Sequence, residues 1–400
     1  MKEATSKSGS RRQLPRWAAL ALSVVVFAAL AIGVSACGGS DSSTSAGTSG
    51  GEGSGGATDV SQFESKLKAA EETEPPKWEG PNEPVKPPKS FKVAGITCFS
   101  QLEGCLTPIE GAEHAAKDLG WEFETYDGEA DPTIQAKRIQ QAIQSGADAI
   151  ITSAVDGNAV KGAREEAEKA GIIVVSTSNG TEPGEQGYVL DTSPNIIAMG
   201  NAVADWMIVD SEGKGVVAPF VDKEFSTNIH FDEGIQEELK KCSGCTVKPT
   251  VNFVATDVGT KLGPNTVAYL QNNPDVEYFY STYDPAMAEQ VASVLQAGLN
   301  VKSCSELGDA QNLSFIKEEQ VQACDGAWDN EYEGYATIDQ IARLAVGQPL
   351  AVSKGVPKRF KYGENIPWVL LDKNNLPEGE ETYKAPYDYI SEYHKLWGLK

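Results

Sequence analysis

The stretch from residue 147 to residue 177, ADAIITSAVDGNAVKGAREEAEKAGIIVVST, decides how the chain folds. It begins with the apolar run 147–153 and ends with a second apolar run, 172–177, which is rich in β-branched residues. Such runs are typical of strands that are buried on both faces. Between them, residues 158–170 show helical spacing and stop at Gly171, a residue type that often ends helices. The stretch therefore predicts a strand–helix–strand unit with parallel strands.

The same alternation of strand and helix patterns extends on both sides of this unit. Upstream we expect strands at 91–97 and 121–126, and helices at 106–119 and 132–145 that end at Gly120 and Gly146. Downstream we expect helices at 194–209, 228–241, 260–272, 285–297 and 330–346, and strands at 215–221, 246–254, 276–282, 299–304 and 368–371. The repetition predicts an α/β protein with two Rossmann-like lobes, each built on a parallel sheet, and a cleft between them.

Ligands of open parallel sheets bind beyond the carboxyl ends of the strands. In this sequence those ends are the loops 97–105, 152–157, 176–180, 221–228, 282–284 and 307–311. Two cysteines frame the first loop, in the run Cys98-Phe-Ser-Gln-Leu-Glu-Gly-Cys105. We expect a disulfide here to pre-shape a lip that contacts the ligand, since a loop already held in its bound shape loses less freedom on binding.

The first 36 residues have the pattern of an export signal. Basic residues come early, the sixteen residues Trp17–Ile32 are apolar, and Val34-Ser35-Ala36-Cys37 resembles the bacterial lipobox, whose cysteine is lipidated and becomes the mature N-terminus. Gly, Ser and Thr then dominate 38–58, as in a flexible tether. A membrane-spanning anchor is the alternative, although a span needs about 20 apolar residues. We expect a lipoprotein on the outer face of a bacterial cell membrane, exported by the Sec or the twin-arginine route.

Six cysteines follow Cys37, an even number that favours three disulfides in an oxidising compartment. Six cysteines allow 15 pairings, and proximity along the chain suggests Cys98–Cys105, Cys242–Cys245 and Cys304–Cys324. Cys242-Ser-Gly-Cys245 also fits a thioredoxin-like redox motif. It follows a helix, however, where the dipole disfavours a reactive thiolate, so a structural disulfide is the better interpretation. Zinc is disfavoured, because no histidine stands at ligand spacing from a cysteine pair.

Charge and motifs exclude several functions. The whole chain carries −23 and residues 1–36 carry +4, so the remainder carries −27. Such a surface repels phosphate backbones, which argues against nucleic acid as a partner. The sequence has no His-Glu-x-x-His, Gly-x-Ser-x-Gly or P-loop run. We therefore expect a protein that is not an enzyme and that needs no metal or other cofactor.

From Phe91 to about Asn375 the order of elements resembles the type 1 periplasmic binding proteins of the ribose and galactose group. The segments that carry the resemblance are Gly111–Gly120, Asp131–Gln135, Ile139–Ile150, Ala170–Val175 and Val189–Ser193. Among them, AGIIVV at 170–175 corresponds to the family's fourth strand, and Val189–Ser193 corresponds to its first crossing between the lobes.

The resemblance implies a receptor that captures a small polar ligand, above all a sugar or polyol, between two lobes joined by a multi-strand hinge. It also implies delivery to the permease and ATPase of an ABC importer by a monomer held to the membrane through Cys37. A receptor that signals to a sensor kinase is the alternative, as is a nucleoside or amino-acid ligand. The expected division is a signal peptide at 1–36, a tether at 37–58, a proline-rich arm at 59–90, an N-terminal lobe of 91–191 plus 328–350, and a C-terminal lobe of 192–327 plus 351–400.

Candidate binding residues come from matching the family's sites to the loop tips. Phe99 stands where the family has an aromatic that stacks on a sugar ring, Ser178-Asn179 replaces a charged pair, and His230 is the cation nearest to the family's usual arginine. The full candidate set is Phe99, Ser100, Gln101, Asp156, Ser178, Asn179, His230, Phe231, Tyr283, Asp284, Asp309 and Trp328, the last near the third crossing.

A structural role competes with binding at several of these positions. Phe99 could be a core residue under the disulfide, and Asp284 and Asp309 could be helix N-caps. Trp328 could pack between the lobes, and His230 could be a surface residue at a helix start. Aromatic faces combined with Asp or Asn at loop tips nevertheless suit a polyol, which needs flat apolar surfaces and paired acceptors.

Overall fold

A computed structural model describes residues 59–72, 77–379 and 381–400. The export signal, Cys37 and the tether lie outside the described residues. The strands are β1 Lys92–Thr97, β2 Glu122–Asp127, β3 Ala149–Ser153, β4 Ile173–Thr177, β5 Asp191–Thr192, β6 Val216–Asp222, β7 Thr246–Val247, β8 Val251–Phe253, β9 Tyr278–Ser281, β10 Lys302–Leu307, β11 Gln322–Trp328 and β12 Trp368–Asp372. The helices are α1 Ser61–Ala70, α2 Glu103–Asp118, α3 Pro132–Gln144, α4 Lys161–Lys169, α5 Ile196–Asp210, α6 Ser226–Leu239, α7 Leu262–Asn272, α8 Asp284–Ala297, α9 Ala310–Lys317, α10 Asn330–Ala345 and α11 Tyr389–Trp397.

The first lobe is built on a parallel sheet with the strand order β2-β1-β3-β4-β5. The unit β3–α4–β4 is the strand–helix–strand predicted from residues 147–177, and its strands pair in parallel from Ala149 against Ile173. Gly120, Gly146 and Gly171 follow α2, α3 and α4 with φ values of 72°, 76° and 82°. This left-handed backbone suits glycine and ends each helix where the sequence predicts.

The second lobe is built on a sheet with the order β12-β11-β10-β9-β6-β7, and β8 also pairs with β6. All pairs are parallel except β11 with β12. The single strand expected at 246–254 is two short strands, because Pro249 between them has no N–H to donate to the ladder. The sequence patterns also missed β11, whose Asp325 and Gly326 are poor strand formers.

Between β1 and β12 of the described residues the chain passes from one lobe to the other at three places: after β5, after β11 and after α10. The second crossing returns α10 to the first lobe, where it packs against α2. The helices approach closely, since a Cβ on Gly334 would lie 2.2 Å from the backbone nitrogen of Ala112. Trp328 therefore stands at the second crossing rather than the third.

The C-terminal helix α11 corrects the expected division of the chain. The division assigned 351–400 to the second lobe, and β12 does join the second sheet. Trp397 of α11, however, stacks on Tyr335 of α10 with ring centroids 6.1 Å apart. His394 Nε2 also lies 2.8 Å from Asp118 Oδ2 of α2. The last helix is thus attached to the first lobe.

The arm at 59–90 contacts both lobes through its described residues. Phe63 of α1 is fully buried in the core, and α1 packs against α5 of the second lobe. Trp78 stacks on Tyr332 of α10, with ring centroids 6.1 Å apart. The amide N–H of Val85 donates to the carbonyl of Leu396 at 3.0 Å. The described residues of the arm therefore pack against helices of both lobes.

Each cysteine pair suggested by proximity is brought together by the fold. The Cα atoms are 5.5 Å apart for Cys98 and Cys105, 5.4 Å for Cys242 and Cys245, and 4.8 Å for Cys304 and Cys324, and each pair is bonded in the structure. Cys242 follows the end of α6, as the sequence predicts.

Candidate functional site

A cavity lies between the two lobes, at the carboxyl ends of their parallel strands. The first lobe contributes residues that follow β1, β3 and β4, and the second lobe contributes residues that follow β6 and β9 and residues at the ends of β10 and β11. The lining residues are Leu102, Gly104, Cys105, Ala154, Ser178, Phe225, Thr227, Asn228, Tyr283, Pro285, Glu306, Leu307 and Trp328. This is the place where open parallel sheets bind their ligands.

Three lining residues have backbone angles that residues with side chains rarely adopt. The φ angle is 52° at Ala154, 59° at Ser178 and 129° at Leu307. Ala154 and Ser178 directly follow β3 and β4, and Leu307 ends β10. Such conformations cost on the order of 1–3 kcal/mol each, and they concentrate at binding sites. Their position around this cavity supports its assignment as the candidate site.

Three aromatic side chains form much of the apolar wall. Tyr283 and Trp328 are almost fully buried, and Phe225 is partly buried. The rings of Phe225 and Tyr283 are perpendicular, with centroids 6.4 Å apart. The Tyr283 hydroxyl donates to Asp222 Oδ2 at 3.1 Å, which fixes the ring. Aromatic faces of this kind stack against the apolar face of a small solute.

Glu333, at the start of α10, ties the two halves of the site together. Its Oε1 accepts hydrogen bonds from the Ser178 N–H at 2.8 Å and from the Ser178 hydroxyl at 3.0 Å. Its Oε2 accepts from Trp328 Nε1 at 3.1 Å. Burial, and after it the nearby charge of Asp191, raises the pKa of Glu333 to about 7. One buried carboxyl therefore positions two residues of the cavity wall.

A cluster of buried carboxyls lies beside the cavity in the second lobe. Asp284 accepts from the Asp309 N–H at 2.8 Å and from the Ser305 hydroxyl. Asp325 Oδ1 accepts from the Gly308 N–H at 3.0 Å. Burial raises the pKa of Asp325 to about 7, and burial together with the charge of Asp325 raises the pKa of Asp284 well above its usual value. The fold keeps acidic groups here that prefer to be neutral.

We expect the free energy of unfolding to fall as the pH rises from 5 to 8. Asp222, Asp325 and Glu333 have folded-state pKa values of about 7, whereas carboxyls in an unfolded chain titrate near 4. Their stabilising contribution is complete below about pH 4 and is lost as the pH rises through 7, because the folded protein must then ionise buried groups. Thermal unfolding across this range checks the expectation.

The variant Asp325→Asn provides the control for that pH dependence. It removes one titrating group and should flatten the decline between pH 5 and 8. A melting temperature that rises steadily over the same range in the unsubstituted protein would contradict the expectation.

Two lining residues carry buried polar atoms that have no hydrogen-bond partner within the described part of the chain. These atoms are Glu306 Oε2 and Asn228 Nδ2, on residues that are 1% and 3% exposed. Native proteins rarely bury such atoms without a partner, because desolvation costs about 1–3 kcal/mol. Their position in the cavity wall indicates that a polar solute supplies the missing partners.

The expected site residues of the first lobe are only partly brought to the cavity. Ser178 lines it. Asn179 is buried, and its side chain donates to the carbonyl of Val155 at 2.9 Å. The Ser100 N–H donates to Asp127 Oδ1 at 3.0 Å. Phe99 is half-buried against the core, and Gln101 and Asp156 are exposed, with Asp156 accepting from the Asn158 N–H at 2.9 Å. Of the six predicted residues in this lobe, only Ser178 is therefore part of the cavity lining.

The expected site residues of the second lobe divide in the same way. Tyr283 and Trp328 line the cavity. Phe231 is a correction: it is fully buried on α6, where α6 packs against α5, so it belongs to the core. Asp284 and Asp309 contact each other in the carboxyl cluster, and neither caps a helix through its side chain.

His230 lies beside Arg359 rather than in the cavity wall. An Arg359 guanidinium nitrogen is 2.7 Å from its ring nitrogens. Burial, and after it the charge of Arg359, lowers the pKa of His230, so the imidazole is neutral at pH 7. The predicted cation near the ligand is therefore a neutral side chain that contacts a cation.

Sequence reasoning missed Glu306, Glu333, Asn228 and Phe225. Glu306 stands in the apolar end of a strand, and a charged residue in such a position is a signal that could have found it. Glu333 follows Glu331 in a helix with acidic residues in its first turn, a pattern that looks like a solvated helix start. Asn228 and Phe225 flank the start of α6, and only the three-dimensional position of that helix reveals their role.

The loop closed by Cys98 and Cys105 reaches the cavity through its second half. Leu102, Gly104 and Cys105 line the cavity. A Cβ on Gly104 would lie 3.2 Å from the Leu307 side chain of the opposite lobe, so the loop and the second lobe are in close contact here. Leu102 is thus the large apolar side chain of this loop that lines the cavity, and Phe99 is not part of the lining.

We expect the Cys98→Ser/Cys105→Ser variant to stay folded and to bind its solute several-fold more weakly. Chain-entropy models give about 2–3 kcal/mol of stability for so short a loop, and a mobile lip must be ordered on binding. Leu102→Ala should weaken binding more than Phe99→Ala, which serves as the control. Calorimetric titration measures the affinity of the three variants. If the double serine variant and Leu102→Ala both bind as tightly as the parent, the loop does not contribute to binding.

A profile of the periplasmic binding protein domain matches residues 90–349. The chain belongs to the periplasmic binding protein family. Among curated proteins, this binding protein is 24% identical over 257 residues to the ribose import binding protein RbsB of Bacillus subtilis, a match that covers 62% of this chain and 80% of the relative.

Solved structures share the fold of this periplasmic binding protein. An ABC transporter solute binding protein from Agrobacterium vitis with bound allitol has a TM-score of 0.64 at 17% identity, covering 71% of this chain and 96% of the other. A 5-methylthioribose transporter solute binding protein from Thermotoga lettingae has a TM-score of 0.64 at 17% identity, covering 79% and 95%. The likeness establishes the two-lobed α/β fold of the type 1 periplasmic binding proteins.

No helix in residues 59–72, 77–379 and 381–400 is long and apolar enough to span a membrane. No group of three or more His, Cys, Asp or Glu side chains in the same ranges could hold a metal ion.

Proposed function

We propose that the protein is an extracytoplasmic receptor that captures a small polar solute, a sugar or polyol, between its lobes and delivers it to an ABC importer. The observation that carries this proposal is the interlobe cavity, in which Glu306 Oε2 and Asn228 Nδ2 have no hydrogen-bond partner among the described residues. A solute with hydroxyl groups supplies both a donor and an acceptor, and the aromatic wall offers it flat apolar faces.

The relatives support the same class of ligand. The curated relative is a ribose import binding protein. Solved structures of the fold include a protein with bound allitol and one with bound α-D-tagatopyranose, both from Agrobacterium vitis. Each of these ligands is a small polyhydroxylated molecule. The family matched by the chain is described as a binding domain, so the role that we propose is binding and release without chemical conversion.

A screen by thermal unfolding tests the proposal. The purified mature protein is heated with sugars, polyols, nucleosides and amino acids, and a bound solute raises the melting temperature because only the folded state holds it. Asn228→Ala should reduce the shift, since it removes a cavity donor, whereas Asn272→Ala on the exposed face of α7 should not. If no solute in a broad panel shifts the melting temperature, the receptor proposal fails.

The location that we propose is the outer face of the cell membrane, with the chain attached through lipid on Cys37 and acting as a monomer. Six cysteines in three bonded pairs suit that oxidising compartment. Thiol titration of the unfolded, non-reduced mature protein should find no free cysteine. Two or more free thiols would contradict the three-disulfide scheme and would make Cys242 and Cys245 candidates for redox chemistry.

A further inference from the structure

We propose that the solute carries a protonated amine beside its hydroxyl groups, as an amino sugar or an aminated polyol does, and that Glu306 selects for it. This inference rests on the proposed function, since it names the class of solute that the same cavity takes. Three features of the cavity support it: the position of Glu306, the sign of the charges around it, and the aromatic wall.

Glu306 is a buried acid whose interaction partner is missing from the described residues. The residue is 1% exposed, it lines the cavity from the end of β10, and its Oε2 accepts no hydrogen bond in the described ranges. A buried carboxyl without a counter-charge is costly, so it is usually paired or neutral. A bound ammonium group would give Oε2 both a donor and an opposite charge.

The ionisable side chains that act on Glu306 are also acidic. Burial, and after it the charges of Asp284 of α8 and Glu333 of α10, raises the pKa of Glu306 well above the usual value. Burial, and after it the charges of Asp284 and of Glu103 across the cleft, raises the pKa of Asp309 well above the usual value. The lining residues include no Lys, Arg or His. A cation is therefore favoured here and an anion is opposed, as by a cleft lined with one sign of charge.

The aromatic wall fits the same solute. Phe225, Tyr283 and Trp328 line one cavity, and a cation over an aromatic face gains about 0.5–2 kcal/mol. Asn228 Nδ2 lies in the same wall and needs an acceptor, which an ammonium group cannot provide but a hydroxyl group can. The pair of unpartnered atoms thus calls for a solute with an ammonium group and at least one hydroxyl.

Ligands of nearly the same shape that differ in charge test whether the protein prefers an amine. The purified mature protein is titrated calorimetrically at pH 7 with glucose, glucosamine, N-acetylglucosamine and glucuronate, with the corresponding galactose set, and with sorbitol and 1-amino-1-deoxysorbitol. We expect the amine of at least one set to bind about tenfold or more tightly than its neutral parent, and the N-acetylated and acidic members to bind more weakly still. Glu306→Gln should remove the amine preference, whereas Glu166→Gln on the exposed face of α4 should keep it.

Each outcome decides for or against the inference. If neutral parents bind as tightly as their amines, or if Glu306→Gln keeps the preference, Glu306 does not select for an amine, although the receptor proposal stands. If no matched set binds, the solutes found in the thermal screen decide: hits that are all neutral or anionic overturn the inference. If the screen has no hits at all, the proposed function fails with it. Thermal unfolding of Glu306→Gln, which should be at least as stable as the parent, confirms that the variant is folded.

Discussion

Replacing Glu333 by alanine is expected to lower the free energy of unfolding by about 3–5 kcal/mol, because it leaves several buried donors without an acceptor. The Ser178 N–H, the Ser178 hydroxyl and Trp328 Nε1 all donate to this carboxyl at 2.8–3.1 Å. Glu333 and Ser178 belong to different segments of the first lobe, and Trp328 stands at the crossing to the second lobe. Loss of the carboxyl therefore loosens the contact between three segments at once.

Urea denaturation of the variant measures this effect. Glu333→Gln keeps one acceptor oxygen and should lie between the parent and Glu333→Ala. Glu166→Ala, on the exposed face of α4, is the matched control and should change stability by less than about 0.5 kcal/mol. If Glu333→Ala unfolds at the same urea concentration as the control, the hydrogen bonds of Ser178 and Trp328 to this carboxyl do not stabilise the fold.

Replacing Trp328 by alanine is expected to weaken solute binding at least about 100-fold, or nearly 3 kcal/mol. The indole is 3% exposed, it lines the cavity, and it stands at the end of β11 where the chain crosses between lobes. Its removal takes away an aromatic face and the hydrogen bond to Glu333. Calorimetric titration with a solute from the thermal screen measures the loss.

Trp328→Phe separates the aromatic face from the hydrogen bond. It keeps a ring in the cavity and should bind within about tenfold of the parent. Trp206→Phe, at a second buried tryptophan that is outside the cavity lining, controls for a general loss of packing. Equal affinity of Trp328→Ala and the parent would remove Trp328 from the binding site.

The fold could be predicted from the sequence because its signals are local. Apolar runs of β-branched residues, such as those that form β3 and β4, can be recognised from the sequence alone. The glycines that follow α2, α3 and α4 are also visible in the sequence, and their positive φ angles in the structure explain why the helices end there. The missed strand β11 shows the limit of these signals. Its sequence, QACDGAW, is unfavourable for a strand, and the neighbours β10 and β12 on either side stabilise it.

The site was harder to predict because its key groups are defined by burial. Glu333 lies in an acidic helix start that resembles any exposed one, and it is buried only because α10 packs against α2 and β4. For Phe231 the error is in the other direction. The family resemblance predicts that this side chain contacts the ligand, but the packing of α5 against α6 buries it in the core. The loop tips were located correctly from strand ends, whereas the side chains that reach the cavity depend on helix packing.

The most direct test of the account is hydrogen–deuterium exchange of the mature protein with and without a solute from the thermal screen. Binding between the lobes predicts slower exchange at the strand ends of both lobes at once: 98–105, 154–157 and 178–180 in the first, and 222–228, 281–285 and 306–309 in the second. Slower exchange confined to one lobe, or to surfaces away from these strand ends, would contradict the claim that the interlobe cavity is the binding site.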